Sequence, residues 1–218
     1  MSTHIRPTAS QAVAWSGTYP GSPGRFQLRV QRLPRDAVPV YDDDIDCVIG
    51  YQRIFGRVAY AFDLLGHTAR LWSLQDDDAA VCAGEARLTV GELWQPGVRA
   101  MTRAGQWGCG ALIGKDARAT LRRRFAELSN ASLLLAPAAL QRMTSVEQFI
   151  PIHILRLAIL TGRRACEDAA QEFSAVVTVD ASEPPKDGFR MLTVRTDRAA
   201  AVIEDFQAQP VPAWMVGR

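Results

Sequence analysis

Lysine is almost missing from this chain: of its 25 basic residues, Lys115 and Lys186 are lysine and the other 23 are arginine. Histidine is scarce as well, with His4, His67 and His153 too far apart for an HxH, HExxH or HxxxH metal-binding pattern. Cys47, Cys82, Cys109 and Cys166 include no CxxC pair, which argues against a zinc site, and a disulfide framework is not expected in a chain of 218 residues with a large apolar fraction. No metal and no cofactor is therefore expected. The phosphate-binding GxxxxGK[ST] loop, the dinucleotide GxGxxG turn and the GxSxG elbow are all absent. No apolar run approaches the roughly 20 residues of a membrane helix; the nearest, Phe149 to Leu160, is broken by Pro151, His153 and Arg156. The first 30 residues hold Arg6, Pro7, Gly17, Pro20, Gly21, Pro23 and Gly24 in place of an apolar signal core. A cytoplasmic protein with no membrane partner is expected.

What is present is ordinary material for a folded domain, 48% hydrophobic and 22% charged, which excludes a wholly disordered chain. Net charge is +2, but its distribution is uneven. Residues 99–124 hold Arg99, Arg103, Lys115, Arg118, Arg122, Arg123 and Arg124 against Asp116, a net of +6. Residues 36–46 hold Asp36, Asp42, Asp43, Asp44 and Asp46 with no base, a net of −5, and Asp76-Asp77-Asp78 adds a second acidic cluster. Guanidinium groups bind phosphate in a fork and stack on rings. The basic stretch is thus a candidate contact for nucleic acid or an acidic protein, and Trp94 and Trp107 beside it are candidates to stack on unpaired bases. The bland alternative is a set of solvated loops and one solvated helix face.

Residues 1–24, rich in Ser, Thr, Pro and Gly, read as an irregular arm that Trp15 and Tyr19 tie in part to the body. Residues 25–218 read as a single compact α+β domain, with a sub-boundary near 114. The first half is expected to be mainly antiparallel β. Its strands are Phe26–Leu33, Val38–Tyr41 and Ile45–Ile49, a hairpin over 57–74 around Gly66-His67, an alternating run at 80–90 and a strand pair within 98–113. A helical segment follows over 116–175. Asp116 is the expected N-cap of a helix to about Leu128, burying Leu121, Phe125 and Leu128 while Arg118 and Arg122 share another face. Thr144-Ser145-Val146-Glu147 has the form of a capping box. Pro151 kinks or restarts that helix, Pro151 to Leu160 is apolar nearly all round, and a last helix over 164–175 carries Ala165, Ala169 and Phe173. The end is expected to be a β-β-α unit, its final helix capped by Asp197, then the tail from Pro210.

The leading expectation is a non-catalytic binding protein, a nucleic-acid-contacting subunit of a nucleoprotein assembly or an accessory factor of a mobile element. It would act through Arg99, Arg103, Lys115, Arg118, Arg122, Arg123 and Arg124. One alternative is a cysteine-dependent enzyme of deamidase or acyl-transfer type. Cys109, between Gly108 and Gly110 in the basic stretch, would be its nucleophile and His153 its base. Another is an inhibitor or scaffold that uses the acidic turns. Self-association through 151–160 or the C-terminal tail is a further expectation.

Overall fold

The computed structural model describes residues 11–74, 98–100, 113–130, 132–167, 170–179 and 188–211. In chain order the described strands are β1 (Val13–Ala14), β2 (Phe26–Leu28), β3 (Val38–Asp42), β4 (Cys47–Phe55), β5 (Val58–Phe62), β6 (Thr68–Ser73) and β7 (Val98–Ala100). Helix α1 (Lys115–Ser129), strand β8 (Leu134–Leu135) and helices α2 (Pro137–Met143) and α3 (Ile152–Thr161) follow, then strands β9 (Arg163–Glu167), β10 (Ala170–Val179), β11 (Phe189–Asp197) and β12 (Val202–Pro210). The protein is α+β. Two compact units form, one from Met1–Leu28, Leu128–Val179 and Asp187–Arg218, the other from Arg29–Glu127 and Asp180–Lys186. Among the described residues, no helix is long and apolar enough to cross a membrane.

In the first unit a sheet runs β1-β8-β12-β11-β10-β2, with β9 also pairing to β10. Its pairings are antiparallel except β12 with β8. Helix α3 is apolar nearly all round, so it is buried, with Ile152, Ile154, Leu155, Leu157 and Ala158 in the core. Tyr19 stacks between Trp15 and Phe149 at 6.1 and 6.0 Å, and its hydroxyl accepts the Ile152 amide at 3.1 Å. Those contacts hold residues 15–19 on the unit.

Three expected helical features in this unit are corrected. The sequence Thr144–Glu147 does not start a helix: Ser145 closes a turn by accepting the Gln148 and Phe149 amides. Proline at 151 disfavours α conformation in the residue before it, so the chain restarts at Ile152 with Pro151 as N-cap. The described residues of the helix expected over 164–175 lie in β9 and β10, so the helical segment ends at Thr161. In β10 the buried residues Gln171, Phe173, Val177 and Val179 recur with period two, and both edges of the strand are paired. The final helix is also strand. The Asp197 carboxylate does cap, but it accepts the Ala201 and Val202 amides across a tight turn with Ala200 at φ 54, which sends β12 back along β11.

The second unit is a sheet of order β6-β5-β4-β3-β7 carrying α1 on one face. The run of aspartates builds the β3–β4 turn. Asp42 accepts the Asp44 amide through its side chain at 3.1 Å, and Asp46 adopts φ 54, a conformation Asp tolerates. Helix α1 starts at Lys115, so Asp116 lies inside its first turn and is not its N-cap. The expected stripe is correct: Leu121 is fully buried, Phe125 and Leu128 nearly so. A Cβ on Gly50 would lie 2.8 Å from Leu121 Cδ2 and 2.5 Å from the Phe62 carbonyl oxygen, so glycine is what lets the helix seat this closely on β4. The hairpin expected over 57–74 is β5–β6, turning through Gly66 at φ 79.

Candidate functional site: two faces of the five-stranded sheet

The basic helix and the acidic turn meet. Arg122 grips Asp42 with both ends of its fork, Nε to Oδ2 at 2.5 Å and Nη2 to Oδ1 at 2.7 Å, and also donates to Asp44 Oδ2 at 2.6 Å. Arg118 donates to Asp44 at 3.2 Å and places its Nε 3.6 Å from Asp42. The Asp42 carboxylate is fully buried, so these cations make its charge tolerable there. The hydrogen bond from Arg122, helped by the charges of Arg122 and Arg118, holds the Asp44 carboxyl below its usual range, against the opposing effect of burial. Conversely, the hydrogen bond to Asp42, ahead of that to Asp44, pushes the Arg122 guanidinium further up. Two residues on, Arg124 donates to Asp63 at 2.6 Å, and Arg70 of β6 reaches Asp116 at 3.4 Å.

Of the expected phosphate-binding set, then, Arg118, Arg122 and Arg124 are committed to carboxylates of their own unit. Lys115 and Arg123 are exposed. Arg99 lies in β7, opposite Tyr41, with its side chain outside the described residues. Arg103, Trp94, Trp107, Asp76-Asp77-Asp78, the run at 80–90 and the tail from 212 are outside them altogether, as is Cys109. His153 is 3% exposed, and burial pushes its pKa down to about 3, so it is held neutral inside the first unit and is a feeble base at neutral pH. Cys47 is a buried free thiol, pushed up to about 12 by burial and then by Asp46 and Asp42, the opposite of an activated nucleophile. Among the described residues, no group of His, Cys, Asp and Glu is placed to hold a metal. In α3, Leu160 alone of the large apolar side chains is exposed; most of the segment expected to self-associate fills its own core.

The opposite face of the same sheet was not singled out by its sequence. Strand register sets its side chains in rows: Arg53–Tyr60–Leu71, Phe55–Val58–Ser73, and Tyr51 beside Phe62. Residues one position along, Ala59 and Ala61, are fully buried on the α1 side. Chain 29–37 covers the Tyr51 end, with the Arg29 guanidinium 5.3 Å from the Tyr51 ring centre. Beyond it the face opens. Phe55 is 66% and Leu71 59% exposed, while Val58, Tyr60 and Phe62 are half-buried. Tyr60 and Phe62 lie nearly parallel, 13° apart with centres at 6.3 Å, and Arg53 lies over Phe55 at 5.3 Å. Arg29 donates to the carbonyls of Ala37, Pro34 and Arg35, and Arg32 to the His67 imidazole, so neither contact is with an acid. Arg53 is paired with Asp36 at 2.8 Å. The signal in sequence is the alternation of aromatic residues through Tyr51, Arg53, Phe55 and Val58, Tyr60, Phe62. A comparison of the chain with protein-family models, curated proteins and solved structures finds no match.

Proposed function

We propose that the protein works by binding, not by catalysis, and that its ligand is a single-stranded nucleic acid laid across the open face of the β4–β5–β6 sheet. The observation that carries this reading is the set of Phe55, Tyr60 and Phe62 on one face, Phe55 exposed and the other two half-buried, with the exposed Arg29 and Arg32 beside it. Unpaired bases expose π-faces that stack on aromatic rings whatever their sequence, while guanidinium groups at the margin take the phosphates. A duplex hides its bases and offers such a face little. The basic helix, the expected site, supports the reading less, since Arg118, Arg122 and Arg124 are engaged within the unit. A place in a nucleoprotein assembly goes with this reading, as does a cytoplasmic setting, which the buried free thiol of Cys47 supports.

The test is fluorescence anisotropy with labelled single- and double-stranded DNA and RNA across a salt series. Single strands are expected to bind more tightly than duplexes. Their log affinity should fall with log salt at a slope of about −1.4, as for two phosphate contacts. No binding at low salt, or a preference for duplex, overturns the proposal.

A further inference from the structure

At the Phe62 end of the open face, the β5–β6 loop brings a histidine and an arginine together over a buried carboxylate. Asp63 organises the loop: its Oδ1 accepts the amides of Leu65 and His67 at 3.0 and 2.8 Å, and its backbone closes onto Gly66 and His67. The Asp63 side chain is 8% exposed, and its Oδ2 takes Arg124 at 2.6 Å and stands 3.7 Å from His67 Nδ1. The loop packs on the neighbouring segment so tightly that a Cβ on Gly66 would lie 3.1 Å from Arg32 Cβ. That closeness puts Arg32 Nη1 3.4 Å from His67 Nε2. Both side chains are exposed.

A guanidinium has donors and no acceptor, so His67 Nε2 receives this bond and its ring hydrogen sits on Nδ1, facing Asp63. An imidazole that accepts this bond carries no hydrogen on Nε2. A protonated one would set a second cation against Arg32, a poor arrangement unless an anion lies between them. A phosphate oxygen bridging the two removes that conflict, because it accepts from Nε2–H and from the guanidinium together.

We propose that Arg32 and His67 form an oxyanion-binding pair for a phosphate group, and that a phosphate seated there brings a proton onto His67 Nε2. The charged groups facing the imidazole are Arg32 from the 29–37 segment, Asp63 from its own loop and, through Asp63, Arg124 from α1. Asp63 offsets part of the imidazolium charge and fixes the ring, while Arg124 prevents that offset from being complete. By linkage, phosphate affinity rises as pH falls through the titration of the imidazole. The proposal deepens the single-strand reading by naming a phosphate contact beside Phe62.

The experiment follows the His67 imidazole resonance by proton NMR through a pH titration of the full chain, with and without inorganic pyrophosphate; His67→Gln identifies the resonance. Pyrophosphate is expected to move the midpoint up by about half a pH unit or more, and to leave it in place in Arg32→Gln. A wild-type midpoint that pyrophosphate does not move overturns the proposal, whatever the protein does with oligonucleotides. If pyrophosphate moves the midpoint while no oligonucleotide binds, the single-strand reading falls and the anion site stands.

Discussion

On the helix side of the five-stranded sheet, three arginines are paired with three aspartates; on the other side, Phe55, Leu71 and two arginines without an acidic partner are open to solvent. The helix side is the more charged in sequence, yet Arg118, Arg122 and Arg124 answer Asp42, Asp44 and Asp63 one for one or better. The open side looks plain in sequence and carries fewer cations, but Arg29 and Arg32 donate to carbonyl oxygens and an imidazole, which leave their charge in place. A run of like charges therefore says little about binding until its partners are known. What a surface offers is the charge left after the fold has paired the rest.

The largest effect that sharpens this contrast is Arg122→Ala. It removes the fork that holds a fully buried carboxylate, and breaking such a pair costs about 3–5 kcal/mol. With Arg118 still near Asp42, about 3 kcal/mol is expected, read as a lowered urea midpoint. A cost below about 1 kcal/mol, the scale of a surface ion pair, would mean that the fork contributes little to the fold and would return the helix to candidacy as the polyanion site.

Next comes the open face itself. Tyr60→Ala with Phe62→Ala deletes the stacked pair, and each lost base–ring contact is worth ~1–3 kcal/mol. Single-strand affinity is expected to fall by about thirtyfold or more, with circular dichroism and the salt slope unchanged. Wild-type affinity in this variant would locate any binding elsewhere.

The contrast between paired and neutralised charge extends to the first unit, where His153 is buried and held neutral. Its folded pKa lies below the unfolded value of about 6.5, so the unfolded chain binds the extra proton as the medium is acidified. Stability is lost as pH falls from about 6.5 towards 3, at roughly 1.4 kcal/mol per pH unit. The lowered carboxyl of Asp44 acts later. Its contribution is present above the unfolded carboxylate value and disappears as pH falls below it. Hydrogen exchange on acidification should therefore expose α3 before α1, and His153→Leu should bring the two closer. Loss of protection in α1 first would reverse the assignment.

Much of this architecture is legible locally. Alternation marks β2, β3 and the β5–β6 hairpin, and the Leu121, Phe125, Leu128 stripe marks α1. The misread segments are those where a local signal was reused. Asp197 caps a hairpin turn where a helix was expected, and of the residues at four-residue spacing Ala165 lies on β9 and Phe173 on β10, whose burial has period two. The site was less legible. The Arg122–Asp42 bond joins residues 80 positions apart, and each charge run gives no sign of the other until the sheet and helix are docked. Similarly, the aromatic alternation in β4 and β5 looks the same whether its face is covered or open. Coverage is decided by where chain 29–37 crosses, with Arg29 over Tyr51 and Asp36 at Arg53, while Phe55 and Leu71 are left exposed.

The smallest expected effect is the one that most directly separates the two faces. Arg123 lies between Arg122 and Arg124 in sequence but is exposed on α1, and Lys115 is exposed at the start of the helix. Reversing either, as Arg123→Glu or Lys115→Glu, should change stability by no more than about 0.5 kcal/mol, as surface substitutions usually do. If single strands lie on the sheet, these changes act on the ligand only through screened, long-range charge, and affinity at physiological salt should shift by less than about twofold. Arg53→Gln, within the aromatic rows, should cost more than either under the same conditions. Were Arg123→Glu to cost more than Arg53→Gln, the phosphates would be passing along the helix, and the sheet face would have to be assigned another role.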